Sequence, residues 1–86
     1  MTGPRRTAPR RDDVVPALAG LGSTIAARRV QLRLTQQDLA DLAGVSRSSI
    51  QALEYGSGGL RLAALVEVAS VLGLQVTLES PFVADR

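Results

Sequence analysis

Arg47, Ser48 and Gln51 lie in one short polar run, flanked by Ser46 and Ser49. Their side chains form hydrogen bonds rather than covalent intermediates. A guanidinium presents a fixed fork of donors that suits guanine, an amide suits adenine, and a hydroxyl accepts or donates. Ile50 and Leu53 take the inward positions of a helix here, so Arg47, Ser48 and Gln51 project outward from its N-terminal half. The groups that perform acid–base or nucleophilic work are missing. The 86 residues contain no His and no Cys, and every basic side chain is Arg. No paired carboxylates suggest a reacting centre. The segment GSGGL lacks the preceding strand and the Lys of a phosphate-binding loop. Asp38 and Asp41, three apart on one helix, suit capping and solubility better than chemistry. The expectation is a binding protein with no catalytic residue, no cofactor and no metal.

Residues 35–56, TQQDLADLAGVSRSSIQALEYG, contain what must position those side chains. Thr35 is an N-cap candidate with Asp38 three residues on, a carboxylate form of the capping box. Leu39, Ala40, Leu42 and Ala43 give an apolar face at helical spacing, and Gly44 stops that helix. Ser46 caps a second helix after Val45, and Ala40 is small where the two helices would cross. Two short helices joined by a tight turn form the unit that lays a helix in the DNA major groove. Gln36 and Gln37 open the first helix, where free N–H groups and the positive dipole end favour phosphate. Ser46 and Ser49 serve as caps or backbone contacts. Arg61, at the start of the following helix, is balanced between a phosphate contact and a solvated charge.

The remaining elements frame this unit. Residues 1–14 are a Pro- and Arg-rich arm without periodicity, expected to be disordered in isolation. Arg5, Arg6, Arg10 and Arg11 make it a flexible arm for phosphate or minor groove, or, as the favoured reading, a solvated leader. Pro16 can open a helix carrying Leu18, Leu21, Ile25 and Leu32, although Gly20 and Gly22 predict a firm start nearer Leu21. Arg28 and Arg29 interrupt that apolar stripe, so one of them is expected to turn partly inward towards a carboxylate. Leu34 should plug the junction before Thr35. A further helix spans residues 61–72, with Leu62, Leu65, Val68, Ala69 and Leu72 on one face and Gly73 after it.

LQVTLE, at 74–79, alternates apolar and polar residues, the signature of a half-buried strand that Pro81 soon ends. A lone strand leaves its backbone groups unpaired. Pairing with the same strand of a second copy would satisfy them, with Leu74, Val76 and Leu78 covering both cores across a two-fold axis. An extended tail lying on its own domain is the alternative. The division is thus an arm (1–14), a DNA-binding domain (15–73), a dimerisation strand (74–80) and a tail (81–86).

Composition sets the outer bounds. The formal charge is +2, with the arginines concentrated in the arm and in the two-helix half, whereas residues 61–86 carry Glu67, Glu79 and Asp85 against Arg61 and Arg86. Hydrophobic residues make up 45% with one Phe, one Tyr and no Trp, a palette of Leu, Val, Ala and Ile suited to packed helices. No apolar run approaches the roughly 20 residues that span a bilayer, and no signal-peptide core is present. Absence of Cys fits a reducing cytosol.

The run RRVQLRLTQQDLADLAGVSRSSIQALEYG resembles the Cro/C1-type (XRE) helix-turn-helix family of phage repressors and bacterial regulators. The pattern R-x5-T-Q-x2-L-A-x3-G-V-S-x3-I-x3-E-x-G is met at every named position, and the resemblance covers about residues 21–74. It implies an all-α, lambda-repressor-like bundle of four to five helices and a cytoplasmic, nucleoid-associated bacterial protein. It also implies an ion pair between Arg29 and Glu54, assigned to structure rather than to DNA. RLAALVEVASVLGLQVTLES is similar to HipB-type antitoxins, in which a helix ending in L-G-L continues into a strand shared across the dimer. That likeness implies autoregulation of an operon and a HipA-type kinase toxin as partner. The chain lacks the Trp-bearing tail of one branch, and no toxin-facing motif is present. Three readings follow: an operator-binding antitoxin, a stand-alone transcriptional regulator, and a protein–protein adaptor. The adaptor is the weakest, because it needs no cationic face.

Overall fold

A computed structural model describes residues 14–80; the arm before Val14 and the tail from 81 onwards lie outside the described residues. Four helices follow one another: α1 (Pro16–Gln31), α2 (Gln36–Ala43), α3 (Arg47–Tyr55) and α4 (Leu62–Val71). α1 packs on α3, and α2 packs on both α3 and α4. Ile25, Leu39, Ala40, Ala43, Ile50, Leu53, Val68 and Leu72 form the shared core, with Leu34, Leu65 and Leu74 half-buried against it.

Each helix stops in the same way. A left-handed residue follows the last turn: Arg33, Gly44, Gly56 and Gly73, with φ of 61°, 72°, 86° and 71°. The next residue's N–H then reaches back five positions: Leu34 to Arg29, Val45 to Ala40, Ser57 to Ala52 and Leu74 to Ala69. This closure satisfies carbonyls that a helix end would otherwise leave unpaired.

α1 begins at Pro16, a full turn earlier than the glycines predict. Proline presets the first turn, and the chain before it is anchored: Val15 N–H donates to the Gly56 carbonyl at 2.9 Å, beside an antiparallel Val14–Ser57 bridge. Gly22 also has a packing role. A Cβ there would lie 2.5 Å from the Leu53 carbonyl oxygen and 2.7 Å from that of Glu54. Close approach to α3 therefore outweighs the helix propensity that glycine sacrifices.

Three leucines placed on the expected apolar helical faces turn out to be exposed. The first, Leu32, is the C-cap of α1, past its last turn, and is 40% exposed. The buried face of α2 is Leu39, Ala40 and Ala43, and a helical turn of 100° per residue carries Leu42 off that face, leaving it 61% exposed. Leu62, 69% exposed, sits at the start of α4 on the rim of an apolar recess lined by Leu18, Leu21, Leu53, Leu60 and Leu65. Residues 74–80 carry no strand within the single chain. A strand exists through its ladder, and the isolated Val14–Ser57 bridge is the β pairing among the described residues.

Candidate nucleic-acid interface

α2 and α3 owe their relative placement to local signals. Thr35 Oγ1 accepts from the Asp38 N–H, and the Thr35 N–H donates to Asp38 Oδ2, each at 2.9 Å, closing the capping box. The Thr35 N–H that the carboxylate accepts, followed by hydrogen bonding from the Thr35 side chain, holds the Asp38 carboxyl below its ordinary value. Gly44 makes the turn, and Ser46 Oγ accepts from the Ser49 N–H at 3.1 Å to start α3. Ala40 and Ile50 are fully buried where the helices meet.

The C-terminal end of α3 is locked. Glu54 receives Arg29 in a two-pronged contact, with Nε to Oε2 at 2.6 Å and Nη2 to Oε1 at 3.0 Å. Arg29 Nη1 also donates to the Leu34 carbonyl at 2.8 Å, so one guanidinium ties α1, α3 and the start of the two-helix unit. The hydrogen bond to Glu54 outweighs the cost of desolvation and raises the Arg29 pKa. Gln36 joins this cluster by donating its amide to Glu54 Oε1 at 3.1 Å. The expected phosphate contact at Gln36 rests on the N–H groups at the start of α2; its side chain is turned inward on the ion pair. No spacing rule in the sequence signals that contact.

The N-terminal half of α3 is open. Arg47 and Ser48 are exposed and Gln51 is half-buried. Ser46 Oγ lies 2.8 Å from Ser49 Oγ and 3.1 Å from Ser48 Oγ, so the three hydroxyls form one hydrogen-bonded group at the helix start. Gln37 donates to Asp41 Oδ1 at 2.8 Å along the exposed side of α2. Arg61 is exposed at the N-cap of α4, across an open groove of about 670 Å³ that also touches Ser46, Ser48 and Ser49. The residues expected to form a shared strand divide: Leu74 is half-buried, whereas Val76 is 42% and Leu78 is 96% exposed in the single chain.

A further contact went unassigned in the sequence. Arg28 Nε donates to the Leu72 carbonyl at 2.8 Å, tying the last turn of α1 to the end of α4. Among the described residues, no helix is long and apolar enough to cross a membrane, and no group of His, Cys, Asp or Glu could hold a metal ion.

A helix-turn-helix family model matches residues 25–78. Among solved structures, the chain is similar to the restriction-modification controller protein C.AhdI from Aeromonas hydrophila. The identity is 26% over 71% of this chain and 92% of that one, with a TM-score of 0.66. A chain of a HipA-HipB-O2-O3 complex is similar in fold, at 23% identity over 74% of this chain and 90% of that one, also with a TM-score of 0.66. A search of curated proteins finds no match.

Proposed function

The chain belongs to the XRE-type helix-turn-helix family, DNA-binding transcriptional regulators, and on that premise we propose that it is a homodimeric, operator-binding repressor. The observation that carries this reading is the asymmetry of α3. Its C-terminal end is fixed by Leu53, Arg29 and Glu54, while Arg47, Ser48 and Gln51 are presented from the other end. Arg47 takes a guanine edge, and Ser48 and Gln51 take neighbouring base edges. Gln37, Arg61 and the N–H groups opening α2 hold phosphates and set register. With its amide committed to Glu54, Gln36 contributes its backbone N–H.

Two copies joined through residues 74–78 present two such helices to pseudo-palindromic half-sites about 34–36 Å apart, or a multiple of that distance. The exposure of Val76 and Leu78 supports this arrangement, since pairing would remove both from water. The test is selection of the operator from randomised duplexes, then titration of the Arg47→Ala variant. Affinity should fall by roughly 1–3 kcal/mol with the dimer intact by sedimentation. An unchanged footprint and affinity would remove Arg47 from the interface.

The regulatory context we favour is that of an antitoxin that controls its own operon and neutralises a HipA-type kinase. The sequence likeness of residues 61–80 supports it, as does the fold shared with a chain of the HipA-HipB-O2-O3 complex. A stand-alone regulator is the second reading, supported by the likeness to the controller protein C.AhdI. Co-expression with the product of the adjoining gene separates them. A stable complex with a kinase supports the antitoxin, whereas operator binding without any complex supports the stand-alone regulator.

A further inference from the structure

Adjacent arginines in the last turn of α1 hold different parts of the molecule. Arg29 grips the end of α3 and the Leu34 carbonyl. Arg28, one position earlier, reaches the Leu72 carbonyl, where α4 ends and the chain departs towards residues 74–80. Gly73, at φ 71°, makes that departure, and Arg28 Nη2 lies 3.5 Å from where its Cβ would be. A cation at a helix C-terminus also meets the negative end of the dipole. α1 packs on α3 rather than on α4, so this contact bridges elements that otherwise meet little.

From this geometry we infer that Arg28 is a positioning residue that fixes the spacing between DNA half-sites. The inference rests on the proposed dimer through residues 74–78. In that dimer the recognition helices are placed by the angle at which each chain leaves α4, and Arg28 holds that angle relative to α1. With a lever arm of about 17 Å, half the half-site separation, a rotation of roughly 5° at the point where the chain leaves α4 moves each recognition helix by about 1.5 Å. The two-fold doubles this to as much as about 3 Å in their separation along the DNA. That displacement is close to the rise of about 3.4 Å per base pair. A modest loosening at Leu72 therefore becomes a change of one base pair in preferred spacing.

The experiment measures affinity of the full chain for its selected operator and for versions whose centre is one base pair longer or shorter. Wild-type protein should discriminate sharply. Arg28→Ala should keep its dimer by sedimentation yet lose about tenfold in discrimination between spacings, about 1.4 kcal/mol, one hydrogen bond from a charged donor. Arg28→Lys, which retains a cationic donor, should recover part of it. If Arg28→Ala weakens binding to every spacing in parallel, the side chain serves only stability and the inference is overturned. A wild-type chain that sediments as a monomer overturns the shared-segment dimer and this inference together. A dimer with undiminished discrimination in Arg28→Ala overturns this inference alone.

Discussion

Gly20 and Gly22 lie two residues apart in α1 and should respond to alanine with opposite signs. At Gly20 a Cβ would meet nothing within 4 Å. Gly20→Ala should therefore stabilise by about 0.5–1 kcal/mol, through helix propensity and a less flexible unfolded chain. At Gly22 the same Cβ would stand 2.5 Å from one backbone oxygen of α3 and 2.7 Å from another, where ordinary contact begins at 3.4 Å. Backbone cannot swing aside as a side-chain tip would. α1 must withdraw from α3 by close to 1 Å, loosening Ile25 and Leu53 in the core. Overpacking of this kind costs about 1–3 kcal/mol, and a rigid backbone contact belongs at the upper end. After subtracting the propensity gain, Gly22→Ala should destabilise by about 1–2 kcal/mol. At about 4–8 °C per kcal/mol, its Tm should fall by roughly 5–15 °C while that of Gly20→Ala rises by several degrees. Urea and thermal melts followed by far-UV circular dichroism measure both. A Gly22→Ala protein at least as stable as wild type would refute the close approach of α1 to α3.

Glu54→Ala leaves the Arg29 guanidinium, with its side chain 15% exposed, without its carboxylate, and should cost about 3 kcal/mol in urea unfolding; a loss below 1 kcal/mol would demote the pair to a surface contact. The capping box makes stability depend on acid. The Asp38 carboxyl sits lower in the folded state than its unfolded value near 3.9, so its contribution is full above that pH and is lost as pH falls through the lower folded value. Asp38→Asn should flatten that part of the stability–pH curve, and an unaltered slope would deny the role. Val76→Asp places a charge on the apolar side of residues 74–78 and should yield a monomer; a full dimer at micromolar concentration in sedimentation would exclude that interface.

Much of the α2–α3 unit was legible because its signals are local. Thr35 with Asp38, Gly44 and Ser46 act within four residues of themselves, so caps and turn could be read without knowing the tertiary fold. Burial was less accessible. An eight-residue helix offers two turns of periodicity, too few to separate Leu42 from Leu39 and Ala43. Gly22 resembles Gly20 in sequence, and only the crossing with Leu53 and Glu54, some 30 residues later, distinguishes them. Alternation at 74–79 predicts a two-faced segment, yet within the single chain Leu74 is half-buried and residues 75–80 are all exposed, Val76 and Leu78 included. Whether it forms a strand depends on a partner ladder, which no single chain's periodicity specifies.

The placement of charge explains how such a domain can change specificity without refolding. The charged contact that α3 needs for stability lies at its far end, where Glu54 engages Arg29 and Gln36. Its apolar anchors, Ile50 and Leu53, face the core. Arg47 and Ser48 belong to neither set and are exposed, so their replacement removes little that α1, α2 or α4 requires. Gln51 is half-buried and therefore less free. Ser46 is constrained as well, since its hydroxyl starts the helix through the Ser49 N–H. Variation at 47 and 48 should consequently alter which bases are read, whereas variation at 29, 46 or 54 should alter whether a recognition helix is presented at all.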